Sequence, residues 1–548
     1  MNANLLIASA AHVPAWTTIL FGLILVGLIA CLAFEEQLHA KKSIIAGGFA
    51  VLSLFLGTAL GIFSFEEIVV GSHEATLTAS TDAEFVDEQS GQLQQVHISG
   101  EDDSHPATDN KEPDTSEQDE DVAHTDQADQ ADQANRTDQA DHSVPVHIGG
   151  HEISMPIYIP GIDWSVIAII LGSSLFVDVT SRSGLFSWIA IKATKLSKGD
   201  PLMLLIFYGV MTVVFSAVLN NVTAMIIVGS LTVVSLEKLE RREQLLPFLL
   251  IEGLLTNIGG LLTLISSVPN IIVGTTANIS FATFFFKAAP YVVLATALTI
   301  WLGAFIFKIR PNRDKESQEQ ANALVAGFDE QDGIESWTFF KVSIFMLGLF
   351  IFLIAGASAL PVLNQLGMGF VALAMAAAML LMFRSEVDQF YRSVDWDLIG
   401  FFMALFVVIY VMEHAQVLHW IGEFLQSVMG DVTNPTASAK DATTLLLGSA
   451  AFSSVTDNIP LAAMLASILS NLNTPDSSGL WWSVIFGANL GGNLTPIGSA
   501  STLVAVTIMH KHGIKLSFAN FVKMAFIFAV VQIALAIAYV VFVIPLIP

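Results

Sequence analysis

Asn257-Ile258-Gly259-Gly260-Leu261-Leu262-Thr263-Leu264-Ile265 and Asn489-Leu490-Gly491-Gly492-Asn493-Leu494-Thr495-Pro496-Ile497 are two copies of one motif, 232 residues apart. The same offset separates Asp163-Trp164 from Asp395-Trp396, and Trp188-Ile189 from Trp420-Ile421. Between these anchors, Phe215-Ser216-Ala217-Val218-Leu219-Asn220-Asn221 recurs as Phe452-Ser453-Ser454-Val455-Thr456-Asp457-Asn458, at an offset of 237. The motifs keep their order, so the chain is an internal duplication. Each copy holds five apolar runs of spanning length, which takes roughly 20 residues. An odd number of spans forces the second copy into the membrane upside down, as in the inverted repeats of secondary transporters.

Composition agrees. Of 548 residues, 53% are hydrophobic and 13% charged, with a mean hydropathy of +0.65; soluble domains carry about 25% charged residues. The expected fold class is an all-α polytopic membrane protein. The net charge of −26 is mostly local, because residues 72–155 hold 21 Asp/Glu against 2 Lys/Arg. That excludes a nucleic-acid partner. The single cysteine, Cys31, excludes a disulfide framework and a thiolate metal cage. The first 15 residues lack a basic n-region, so targeting is expected to rest on the first membrane helix.

Spans are expected at about 16–34, 43–63, 159–180, 246–272, 282–307, 337–357, 362–383, 396–413, 481–505 and 520–546. Two further runs, 201–235 and 442–470, are too long for one span and too short for two, and each has a polar centre. They read as re-entrant hairpins, whose non-helical tips are tolerated at depth only where they line a cavity or pack on protein. The domains follow: 1–71, the first two membrane helices; 72–155, an acidic, disordered external insertion with the repeat 126–135; 156–310, the rest of repeat one; 311–336, a cytoplasmic linker; 337–548, repeat two. With both hairpins returning to their side of entry, 19 of the 23 Lys/Arg fall on one side of the membrane. By the positive-inside rule that side is the cytoplasm, which places both termini and the acidic insertion outside.

The polar residues carry the chemistry. The hairpin centres offer Ser216, Asn220 and Asn221 in one copy and Ser453, Asp457 and Asn458 in the other. The Gly-Gly motifs add Asn257, Thr263 and Ser266, and Asn489, Thr495 and Ser499. Paired Gly and nearby Pro weaken a helix and free backbone carbonyls. A dehydrated alkali cation takes several neutral oxygens in a close shell, and such broken helices supply them. These residues are expected to converge, with Na⁺ at Asn221, Asn257, Asp457, Asn458 and Asn489. The bland alternative is that small residues and Asn only help helices pack.

The paired tip and Gly-Gly-x-x-Thr motifs resemble the ion transporter superfamily, in the branch of the NhaD-type sodium/proton antiporters, the ArsB arsenite permeases and the P-protein. Glu36–Ser43 after the first span also resembles the NhaD pattern. The resemblance covers nearly the whole chain except 72–155. It implies a scaffold, a moving domain that carries the hairpins, an elevator-like motion, a homodimer and a bacterial cytoplasmic membrane. Ser266-Ser267-Val268-Pro269-Asn270 stands where NhaD-type proteins tend to carry a carboxylate, and there the chain is closer to the ArsB and P-protein pattern.

The tips differ in charge at one position, Asn220 in one copy and Asp457 in the other. A lone carboxylate at low dielectric repels an anion and attracts Na⁺ or H⁺. The expected activity is therefore exchange of Na⁺ or Li⁺ for H⁺, with arsenite-type or other anion permease activity as the alternative. No cofactor is expected beyond the transported ions. Glu252, five residues before Asn257, is a candidate proton relay. Asp163 and Asp395 read as helix caps, and Asp178 and Glu413 as structural. No HExxH or GxSxG motif is present and only one Asp sits at a core motif, so an enzyme is not expected.

Overall fold

A computed structural model describes residues 13–63 and 159–547, apart from 313, 384–390, 393, 431 and 434–437, together with six short strands between 67 and 154. The chain divides into two compact units, 65–156 and the remainder.

The larger unit is helical. Its first half runs α1 (Ala15–Ala33), the short α2 (Glu35–Leu38), α3 (Lys42–Ala59), α4 (Trp164–Arg182), α5 (Leu185–Leu196), α6 (Pro201–Val218), α7 (Asn221–Lys238), α8 (Leu245–Gly259), α9 (Val268–Thr276) and α10 (Phe281–Ile306). The linker carries α11 (Lys315–Ala326). The second half then runs α12 (Trp337–Ala355), α13 (Pro361–Met382), α14 (Trp396–His414), α15 (Val417–Met429), α16 (Ala439–Ser453), α17 (Asn458–Asn471), α18 (Gly479–Gly491), α19 (Ala500–Lys511) and α20 (Phe518–Phe542). Counterparts keep counterpart neighbours: α3 packs along α14, and α13 along α4. Asp163 and Asp395 cap α4 and α14, accepting from the N–H groups of Ser165 and Val166 and of Leu398. Asp178 pairs with Arg182 one turn on, at 3.3 Å.

Ten described helices are long and apolar enough to cross a membrane, yet they are not the ten runs expected. The runs 246–272 and 481–505 are each two helices. In the first, α8 stops at the Gly259-Gly260 pair, a 3₁₀ turn covers Leu264–Ser266, and α9 restarts at Val268. In the second, α18 stops at Gly491 and α19 restarts at Ala500. The limbs α6 and α7, of 18 residues each, take their places among the ten; at 1.5 Å per residue each is about 27 Å long. Length alone therefore does not make the first hairpin too short for two spans, contrary to the expectation. The second hairpin, with limbs of 15 and 14 residues, is too short. Either way a pair of limbs returns the chain to the side it left, so the sidedness of the charged loops is unchanged. Large apolar side chains such as Phe305 and Phe542 lie exposed on the outer surface of the bundle, as a lipid solvent requires.

The smaller unit corrects one expectation. Disorder over the whole of 72–155 does not hold at its ends, where β1 (Glu67–Val70) pairs antiparallel with β6 (His151–Ser154), and β2 (His73–Leu77) with β5 (Val144–Ile148). Both ladders keep one register, Glu67 opposite Ser154 and His73 opposite Ile148, so the two ends of the insertion are zipped together. Between them β3 (Glu84–Val86) pairs with β4 (Leu93–Gln95). The acidic repeat 126–135 lies outside the described residues.

Candidate functional site

Each hairpin is stapled to the broken helix that follows it, by the same atoms in both halves. The Ser216 hydroxyl lies 2.6 Å from the Thr256 carbonyl, and Ser453 donates to the Ala488 carbonyl at 2.6 Å. These carbonyls lie in the last turn of α8 and of α18; that of Thr256 also accepts the Gly260 N–H at 2.8 Å. Thr263 donates to Ala217 O, and Thr495 to Ser454 O, each at 2.6 Å. Such close approach needs glycine. A Cβ on Gly259 would sit 2.7 Å from Val213 O, and one on Gly491 would sit 2.3 Å from Ala450 O. Gly491→Ala is therefore expected to lower stability by about 1–3 kcal/mol or to displace the second hairpin. Gly448→Ala, in open space on α16, should be neutral or slightly stabilising. Thermal unfolding of the two variants in detergent checks the contrast.

At the centre, each broken helix sends its Asn into the break of the other. Asn257, 1% exposed, donates from Nδ2 to Asn493 Oδ1 (2.8 Å) and Ser499 Oγ (2.9 Å). Its Oδ1 accepts from Ser501 Oγ (3.1 Å) and from the tip amide Asn221 Nδ2 (3.3 Å). Asn489 donates to Asn270 Oδ1 (2.9 Å) and accepts from Ser267 Oγ (2.8 Å). The carbonyls freed by the first break, Gly260 and Thr263, are covered by Ser266 Oγ and Asn270 Nδ2 at 2.6–3.0 Å. The network continues outward from Asn493 to Gln532 Oε1 (2.7 Å) and from Gln532 to Thr299 Oγ1 (2.9 Å).

So Ser216, Asn221, Asn257, Thr263, Ser266, Asn489 and Ser499 are brought together, joined by residues that sequence reasoning missed: Asn493, Ser501 and Gln532. Asn493 was visible as the one polar departure between the two Gly-Gly copies, opposite Leu261, and Gln532 as an amide in the middle of an apolar span. Among the described residues Asn458 makes no side-chain hydrogen bond to this network. Asn220 caps α7 through the Thr223 N–H (2.7 Å). It lines a cleft of about 60 Å³ with Ser173, Ser174, Val218, Ser266 and Leu398, enough for a few water-sized occupants.

Asp457 caps α17 by accepting the Ile459 N–H at 3.1 Å. Its other oxygen is taken by Lys42 Nζ at the start of α3, in a tight ion pair. The expected lone carboxylate is therefore not alone, and its repulsion of an anion is offset by a full positive charge. The loop before α3 gave no sign of this partnership, because 415 residues separate the two. Glu252 is fully buried on α8; Oε1 accepts from Thr232 Oγ1 at 2.6 Å, while Oε2 has no hydrogen-bond partner among the described residues.

A duplicated helical bundle, two broken helices and a buried amide centre are the frame of a transporter, and comparison with known proteins agrees. Residues 148–487 match the family model CitMHS, described as a citrate transporter. The chain belongs to the CitMHS family. A 46 kDa membrane protein of Mycobacterium leprae is 31% identical over 386 residues, 69% of this chain and 86% of that protein. The uncharacterized transporter Rv2684 of Mycobacterium tuberculosis is 30% identical over 387 residues, with the same coverage. The P protein of Homo sapiens is 24% identical over 462 residues, 71% of this chain and 54% of that protein, in line with the expected P-protein kinship. Among solved structures, Neisseria gonorrhoeae MtrF aligns over 72% of this chain and 83% of its own, at 10% identity and a TM-score of 0.48. As a CitMHS member the chain is a multi-pass membrane transporter and not an enzyme.

Proposed function

We propose that this CitMHS protein is a secondary transporter that exchanges Na⁺ or Li⁺ for H⁺. In this reading the two halves lie inverted in the membrane, and the hairpins and broken helices move as one body past a scaffold, in a homodimer. The observation that carries it is the single tip carboxylate, Asp457, part-buried and already holding one positive charge. A carboxylate at low dielectric strongly favours one cation over none, and an ammonium, a metal ion and a proton compete for the same oxygens. Neutral oxygens of Asn221, Asn257, Asn458 and Asn489 lie in the tips and helix breaks, where they can complete a cation shell as the body moves. Asn257 spends all four of its hydrogen-bonding positions on protein, so a cation reaching it must displace Asn221 or Ser501. Glu252 stays the candidate relay for the proton.

A second reading, transport of a citrate-class carboxylate, is favoured by Lys42. Its charge offsets the repulsion from Asp457, and helix N-termini at Asn221, Val268, Asn458 and Ala500 favour anions by their dipoles. The family description points the same way. Purified protein in proteoliposomes with an imposed pH gradient separates the two. Na⁺ or Li⁺ is expected to dissipate the gradient without citrate. Uptake of citrate with no Na⁺-driven proton movement would replace the first reading by the second.

A further inference from the structure

Lys42 sits at a position where the two halves of the duplication differ in charge. Ser43 lies against Gly400 of α14, 3.4 Å from where that glycine's Cβ would be, and Gly369 of α13 lies against Ala168 of α4, the residue equivalent to Gly400. Ser43 and Gly369 are thus counterparts, and so are Lys42 and Met368. The backbone agrees: α3 starts at Lys42, and α13 is interrupted at Gly367 (φ 76°, ψ 168°) and resumes at Met368. The tip opposite Met368 in this scheme carries Asn220, and the tip against Lys42 carries Asp457. The pair Lys42/Asp457 carries both charges, and the equivalent pair Met368/Asn220 carries neither. The base is therefore matched to the acid rather than incidental to the loop.

Two more contacts define what Lys42 can do. It is fixed to α14 rather than to the hairpin, since the neighbouring Ser43 hydroxyl bonds Asp397 at the start of α14. It also has a second carboxylate in reach, because Glu35 Oε1 lies 3.7 Å from Nζ. An ammonium displaced from Asp457 thus has another acid to turn to, without being stranded in an apolar surround.

We propose that Lys42 is a tethered cation that competes with the transported one for Asp457 and, while it holds Asp457, latches the second hairpin to the α3–α14 pair. The transported cation displaces the ammonium towards Glu35, and only that displacement frees the hairpin to move. An unloaded carrier is then held in place, so cation movement in one direction without exchange is suppressed. The identity of the cation rests on the exchange reading above, whereas the latch does not.

The test uses the full-length protein in proteoliposomes. Lys42→Met, which copies the other half, removes the competitor. Half-saturating Na⁺ should fall about tenfold, and radioactive Na⁺ should leak without a counter-ion. Glu35→Gln removes the alternative partner, so half-saturating Na⁺ should rise instead. A merely structural role does not move the two variants in opposite directions. A substrate-independent readout comes from Val455→Cys at the exposed tip, in a Cys31→Ser background, labelled with an impermeant maleimide. One side should react when Lys42 is present, and both sides in Lys42→Met. The neutral double variant Lys42→Met/Asp457→Asn serves where the single variant does not assemble, and it too should label from both sides. Two-sided labelling with no Na⁺ transport by the wild type would sustain the latch and overturn the sodium assignment. One-sided labelling in both Lys42 variants, or shifts of the same sign in Lys42→Met and Glu35→Gln, would overturn the latch.

Discussion

Asp457→Asn is expected to abolish Na⁺-driven proton movement while the protein still reaches the membrane. The amide keeps the size of the carboxylate and can still accept the Ile459 N–H that starts α17, so the tip keeps its cap. What disappears is the charge that an ammonium, Na⁺ and a proton compete for. Lys42 loses a partner but is not stranded, being 30% exposed and 3.7 Å from Glu35. The stability change should therefore stay near about 1 kcal/mol, the scale of a part-exposed pair. Exchange should fall at least about 100-fold, since a permanently neutral tip has nothing to trade; that is roughly 2.7 kcal/mol at 1.36 kcal/mol per tenfold. Asp457→Glu keeps the charge and displaces it by one methylene, so some exchange should survive with an altered Na⁺/Li⁺ preference. Quenching of a pH-sensitive dye in proteoliposomes measures all three proteins. Near wild-type exchange in Asp457→Asn would remove this residue from the mechanism and turn attention to Glu252.

The duplication and the positions of both helix breaks were legible because they rest on Gly pairs and on apolar run length, which are local properties. Gly259-Gly260 and Gly491-Gly492 mark the two breaks within a residue or so. Hairpin limb lengths were less legible: the run 201–235 with its polar centre suggested a re-entrant turn too short for two spans, but α6, started by Asp200 and Pro201, and α7 extend 18 residues each. The site was readable as a set of residue types and unreadable as a set of partners. Thr263, Ser453 and Thr495 spend their hydroxyls on main-chain carbonyls, and Ser216 lies 2.6 Å from both the Thr256 carbonyl and Asn221 Oδ1, which a sequence cannot reveal. The contacts that decide the electrostatics, Lys42 with Asp457 and Asn257 with Asn493, cross 415 and 236 residues. No spacing rule reaches that far; the contacts need α3 and α17 both packed on α14, and α8 packed against α18 and α19. The ends of the acidic insertion were misread for a different reason. Short alternating segments such as His73–Leu77 carry a weak strand signal that the acidic composition around them obscures.

Asn257→Ala is expected to be the most destabilising single change at the centre of the molecule. The side chain has two donors and two acceptor positions, and all four are used, towards Asn221, Asn493, Ser499 and Ser501. Three of these partners come from the break in the other half, so truncation leaves polar groups facing a cavity between two broken helices. Unmet polar groups in a buried place cost about 1–3 kcal/mol each before water or rearrangement repairs them, and partial repair brings the expected loss to about 2–4 kcal/mol. Asn489→Ala removes contacts to Ser267 and Asn270 and should fall slightly behind. Asn458→Ala, at a tip where no side-chain hydrogen bond joins it to the network, should cost less than about 1 kcal/mol. Thermal unfolding in detergent gives the ranking, and repeating it with Na⁺ tests the shell: a bound cation stabilises the wild type by mass action and should not protect Asn257→Ala. Equal melting of Asn257→Ala and Asn458→Ala would mean that the amide centre is a loose polar pocket and does not join the two halves.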